Sequence, residues 1–154
     1  MSDTVNVRTC LWFASGGLAA ARRYVALIPN SVLENDPLSG PEPIVVLFTL
    51  NGVPFQILNG GPRYHLTPAA SIAVTTGDQA ETDRLWAALV EGGEESYCGW
   101  LVDRWGVSWQ IVPDVLPRLL GASDRVAAGR AMQAMLTMRK LDIAGLEAAF
   151  LGAQ

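Results

Sequence analysis

The sequence predicts an α+β fold in which one unit of strand, helix and three strands is written twice and followed by a helical tail. Three observations carry that expectation. Short strand-like runs flank two helical patterns, and Tyr24 and Trp86 hold comparable places in those helices, about 62 residues apart. Two hairpin signals, Asn51-Gly52 and Asp103-Arg104-Trp105-Gly106, fall late in the two units. After Pro113 the period-two alternation stops, and apolar residues recur at helical spacing.

In the first unit, Arg8 to Phe13 reads as a strand that yields at Gly16-Gly17 to a helix. Leu18, Ala21, Val25 and Ile28 repeat at helical spacing and Pro29 ends the run. Asn30 to Glu34 fits a short edge strand. A loop rich in proline and glycine leads to an apolar strand, Ile44 to Leu50, which Asn51-Gly52 turns back into Val53 to Leu58. This first module spans about residues 5–60.

The pattern restarts after Asn59-Gly60-Gly61-Pro62-Arg63-Tyr64-His65. Ser71 to Thr76 is a strand. Asp78, with Glu81 three residues on, forms a capping-box signature for a helix whose buried face is Leu85, Trp86, Leu89 and Val90. Gly92-Gly93 closes the helix, and a weak strand near Glu95 to Tyr97 precedes the hairpin of Cys98 to Pro113. In its second strand Val107, Trp109 and Ile111 point one way and Ser108, Gln110 and Val112 the other. This second module covers about residues 68–113, and the tail about 114–154: Val115 to Leu120, a helix from an N-cap at Ser123 to about Lys140, and a last one starting at Asp142. With 154 residues, the two modules and tail are expected to make one domain.

Composition excludes several functions. Half of the residues are hydrophobic, enough for a sizeable core and against disorder. A net charge of -4 without a Lys/Arg cluster argues against nucleic acid as a partner. The start, Met1-Ser-Asp-Thr, lacks a basic region and an apolar run, and no apolar stretch is long enough to span a membrane; a cytoplasmic location is expected. Cys10 and Cys98 have no metal-type spacing and read as reduced thiols packed in strands. Asn59-Gly60-Gly61-Pro62 reads as a turn, because no helix follows it and Pro62 lacks a donor. His65 reads as an exposed or loop-packing residue or, alternatively, as a contact at a pocket rim, and Met132, Met135 and Met138 as a stripe packed on the sheet or on a partner subunit.

Several words of the sequence, Leu11-Trp-Phe13, Phe55-Gln-Ile-Leu-Asn-Gly-Gly-Pro62, Cys98-Gly-Trp-Leu101, Gly106-Val-Ser-Trp-Gln-Ile-Val-Pro113 and Met132-Gln-Ala-Met-Leu136, resemble the PhnB-like branch of the vicinal oxygen chelate superfamily. That branch is often labelled 3-demethylubiquinone-9 3-methyltransferase-like, and the superfamily includes glyoxalase I and bleomycin-resistance proteins. The resemblance covers nearly the whole chain, tail included. It implies two tandem βαβββ modules whose curved mixed sheets surround a cup, and a homodimer, to which the apolar tail would contribute surface.

The resemblance also locates a site. Metal enzymes of the superfamily place a ligand on the first and last strand of each module, and the corresponding residues are Thr9, Gln56, Ala69 or Ser71, and Gln110. None is the imidazole, carboxylate or thiolate that a divalent transition metal prefers, so no metal and no cofactor are expected. Thr9, Leu11, Gln56, Leu58, Ser71, Ser108 and Gln110 are instead expected to line the cup and bind a small molecule. Alternatively, Gln56 and Gln110 hydrogen-bond one another or nearby backbone inside a packed core. The function these readings imply is metal-independent binding of a small molecule. The alternative is an enzyme: a lyase, an isomerase or dioxygenase-like, or the methyltransferase of the family label, although no Gly-rich strand-to-helix turn of a parallel α/β pattern supports S-adenosylmethionine binding.

Overall fold

The computed structural model describes residues 4–153. The chain forms two compact units, residues 1–66 and 67–154, each built on an open four-stranded mixed sheet. In the first unit β1 (Thr9–Phe13), α1 (Gly17–Leu27), β2 (Val32–Leu33), β3 (Val45–Leu50) and β4 (Val53–Asn59) give the strand order β1-β4-β3-β2. In the second, β5 (Ser71–Thr76), α2 (Gln79–Val90), β6 (Glu94–Glu95), β7 (Trp100–Val102) and β8 (Ser108–Pro113) give β5-β8-β7-β6. The orders are equivalent: a first strand parallel to the last, and the rest antiparallel. No described helix is long and apolar enough to cross a membrane.

One face of each sheet carries its helix. In the first unit Leu11, Phe13, Val46, Phe48, Leu50, Phe55 and Ile57 are buried together with Leu18, Ala21 and Tyr24 of α1. Tyr24 meets Phe48 at 6.3 Å between ring centroids, and Phe48 stacks on its cross-strand partner Phe55 at 5.6 Å. Gly17 is needed where α1 meets the sheet, since a Cβ there would lie 2.4 Å from the Ile57 side chain. The Asn51-Gly52 turn has both residues at positive φ, 46° and 80°, as a hairpin turn matched to strand twist requires.

The two helices begin differently. Asp78 caps α2 by accepting the Glu81 N–H at 2.8 Å. The reciprocal arm expected of a capping box is replaced by an ion pair, because the Glu81 carboxylate turns to Arg84 at 2.6 Å. Gly16 leaves α1 without a side-chain cap of its own. Distant residues fill the gap: Asn59 Oδ1 accepts the Gly17 N–H at 3.0 Å, and Glu42 accepts those of Gly16 and Leu18 at 3.2 and 2.7 Å.

The tail of the second unit comprises α3 (Val115–Leu120), α4 (Arg125–Thr137) and α5 (Ile143–Leu151). The cap of α4 is Asp124, which accepts the Ala127 N–H at 2.9 Å, and not Ser123, and the helix ends before Lys140. Leu116, Leu141 and Leu146 form a buried cluster, against which Met135 and Met138 pack while Met132 stays exposed. The linker between α4 and α5 is fastened to the sheet, for Met138 and Arg139 accept the N–H groups of Cys98 and Gly99, each at 2.8 Å. Gln79, at the start of α2, then caps α5: its amide oxygen accepts the Ile143 N–H at 2.8 Å and its NH2 donates to Leu141 at 3.1 Å.

Candidate functional site

The free face of the second sheet, the one away from α2, carries Ser71, Ala73, Trp100, Val102, Ser108, Gln110, Val112 and, at its edge, Glu94, placed together by the register Ser71↔Ser108, Ala73↔Gln110, Trp100↔Gln110, Val102↔Ser108 and Glu94↔Val102. Trp109 and Ile111 are fully buried on the other face, so the alternation read from the sequence of β8 holds. Gln110 donates from its NH2 to Ser71 Oγ at 2.9 Å. Beside this pair, Ser108 is 2 % exposed, and its Oγ has no hydrogen-bond partner among the described residues. A buried hydroxyl without a partner is uncommon in a native fold and destabilises it by about 1–3 kcal/mol.

The hairpin behind this face is held by a buried acid that the sequence reading did not single out. Asp103, 4 % exposed, accepts the Trp105 N–H and Val107 N–H on Oδ1 at 2.9 and 3.0 Å, and the Trp109 indole N–H on Oδ2 at 2.9 Å. With Gly106 at φ 90°, these bonds fix the turn and the pleat that puts Ser108 and Gln110 on the free face.

On the first sheet, β1 corrects an expectation. The register Thr9↔Phe55 and Leu11↔Ile57 puts Thr9 and Leu11 on the α1 side, where Leu11 is buried. The residues that share the free face with Gln56 and Leu58 are Cys10 and Trp12, paired as Cys10↔Gln56 and Trp12↔Leu58, with Val45 and Leu47 beside them. The shift is one residue, which exchanges the two faces of a strand. Cys10 is accordingly exposed rather than packed in the core, and Cys98 is half-buried in a turn at φ 60° rather than in a strand. Among the described residues the Gln56 side chain makes no hydrogen bond.

The loop after β4 closes one end of this face. Trp12 donates its indole N–H to the Gly61 carbonyl at 2.9 Å, and Tyr64 meets the Trp12 ring edge-on at 4.9 Å. A Cβ on Gly60 would fall 2.3 Å from the Trp12 ring, so only glycine admits the ring there. Arg63 lies over the Tyr64 ring at 5.2 Å, and His65 is exposed.

These free faces do not fit a transition metal. Their polar groups are amides, hydroxyls, the single Cys10 thiol and, at the β6 edge, the lone carboxylate of Glu94, and no group of three His, Cys, Asp or Glu side chains among the described residues could hold a metal ion. The turn before α1 also offers little to a phosphate, because Asn59 and Glu42 already accept the N–H groups of Gly16, Gly17 and Leu18.

Residues 5–112 match the family described as 3-demethylubiquinone-9 3-methyltransferase. The chain belongs to that family. It is the PhnB-like branch of the vicinal oxygen chelate superfamily, and the solved structures agree with it. A PhnB protein from Bacillus cereus is 27 % identical, with a TM-score of 0.60 over 71 % of this chain and 99 % of that one. A protein from Pseudomonas aeruginosa is 21 % identical, with a TM-score of 0.56 over 72 % of this chain and 100 % of its own. The fosfomycin resistance protein FosX from Mesorhizobium loti is 12 % identical, with a TM-score of 0.54 over 79 % of this chain and 100 % of its own; that likeness is one of fold. No curated protein matches the chain. The match to the family model ends at residue 112, within β8 and before α3 to α5.

Proposed function

We propose that the chain is a metal-independent small-molecule-binding protein of the PhnB-like family, whose ligand contacts Ser71, Ser108 and Gln110 on the second sheet. The observation that carries this reading is the unpartnered Ser108 Oγ beside the Gln110–Ser71 pair. A ligand oxygen or nitrogen would complete that hydroxyl, and Trp100, Val102 and Val112 would supply apolar contact, the usual make-up of a small-ligand surface. Amides and hydroxyls recognise by hydrogen bonding, and none is a ready nucleophile or proton acceptor at neutral pH.

The test is a thermal-shift and calorimetric screen of chelator-treated protein. Zinc, manganese, nickel and S-adenosylmethionine are expected to leave the unfolding temperature unchanged, while a neutral hydrogen-bonding arene such as 2-naphthol raises it, as any ligand of the native state must. A tightly held metal, one per chain, or stabilisation by S-adenosylmethionine would overturn the reading in favour of an enzyme. Gln110→Leu should abolish the 2-naphthol shift without unfolding the chain. We place the protein in the cytoplasm as a homodimer, a state to which the exposed Met132 and Leu136 of α4 lend apolar surface. Light scattering giving about 16.5 kDa would contradict the dimer.

A further inference from the structure

We infer that the first module holds an aromatic corner, Trp12 and Tyr64 with Arg63 above it, that selects a planar aromatic ligand carrying an anionic group. The corner lies wholly within the first unit and is a site separate from the second-sheet surface above. Trp12 is a fixed wall: its N–H is tied to the Gly61 carbonyl at 2.9 Å, and its ring rests against Gly60, where no Cβ fits. Tyr64 stands at 81° to it with a centroid distance of 4.9 Å and is 53 % exposed, so two rings meet at a right angle with ring surface left uncovered. A third planar ring entering such a corner can stack on one wall and meet the other edge-on.

Charge completes the assignment. The Arg63 guanidinium lies 5.2 Å from the Tyr64 centroid, and no carboxylate pairs with it among the described residues. It can therefore hold a carboxylate or phenolate on the ring's rim while retaining the stacked position on Tyr64. The Gln56 amide lies on the same face of the sheet, two residues along from the Trp12↔Leu58 pair, and is free to donate to a second oxygen. An aliphatic acid would lose the stacking, and a neutral arene the ion pair.

Isothermal titration with three probes, 2-naphthoate, 2-naphthamide and cyclohexanecarboxylate, tests the inference. Wild type is expected to prefer 2-naphthoate over either other probe by about fivefold or more, the scale of a modestly exposed charge or ring contact. Arg63→Gln should lower 2-naphthoate affinity about fivefold and leave 2-naphthamide unchanged. Tyr64→Ala should weaken both aromatic probes. Both positions are exposed loop side chains, so the variants should fold, and circular dichroism verifies it. Affinity for 2-naphthoate unchanged in both Arg63→Gln and Tyr64→Ala would overturn this inference and leave the second-sheet binding reading standing. Equal affinity of wild type for all three probes, or none for 2-naphthoate, would overturn it as well.

Discussion

The carboxylate of Asp103 accepts the indole N–H of Trp109 at 2.9 Å, with both residues buried, and so ties the tip of the β7–β8 hairpin to the strand that carries Ser108 and Gln110. Asp103→Ala would strand that indole donor and the backbone N–H groups of Trp105 and Val107. The expected loss is about 3 kcal/mol of unfolding free energy, read by urea denaturation. Asp103→Asn should fall between, since an amide cannot accept on both sides.

Gly99 is the second point on which this hairpin depends. It sits at φ 83°, and a Cβ would lie 2.7 Å from the Ile111 carbonyl oxygen and 3.0 Å from the Leu141 side chain. Gly99→Ala should therefore lower stability by about 2 kcal/mol and loosen the tail. Hydrogen exchange should show faster exchange at Cys98 and through α5, and protection equal to wild type there would refute the assignment.

The tail is also held by Gln79 and Asp83. Gln79→Ala removes both bonds to the start of α5 and should cost about 1–2 kcal/mol, seen as earlier exchange of residues 141–151. Lys140, at 2.7 Å, and then Gln79 hold the Asp83 carboxyl below its ordinary value. A carboxyl depressed in the folded state stabilises it above the unfolded pKa, near 4, and that contribution is lost as pH falls through the lower folded value. Lys140→Gln should thus be slightly less stable than wild type at pH 7 and equal to it once the pH has fallen below the folded pKa of Asp83, with the gap at pH 7 closing in high salt.

Much of this was legible in the residues. The second sheet's faces could be read because β8 alternates Trp109 and Ile111 with Ser108 and Gln110, so chemistry marks the buried side. In β1 it does not: Cys10 and Trp12 are as apolar as Leu11 and Phe13, and period two alone cannot say which set lies under α1. The caps of α1 and α5 were hidden for another reason, since Asn59, Glu42 and Gln79 act across 24 to 64 residues of sequence. Asp103 was seen as a turn residue, but its three donors appear only once the hairpin closes.

The most direct measurement compares the unfolding free energy of ligand-free Ser108→Ala with that of wild type. If the Ser108 hydroxyl is kept for a ligand, its removal discards a buried group that has no partner in the free protein, and the variant should be as stable as wild type within about 0.5 kcal/mol, or more stable. A loss of about 1.5 kcal/mol or more would show that the hydroxyl is already satisfied inside the fold, and would contradict the account.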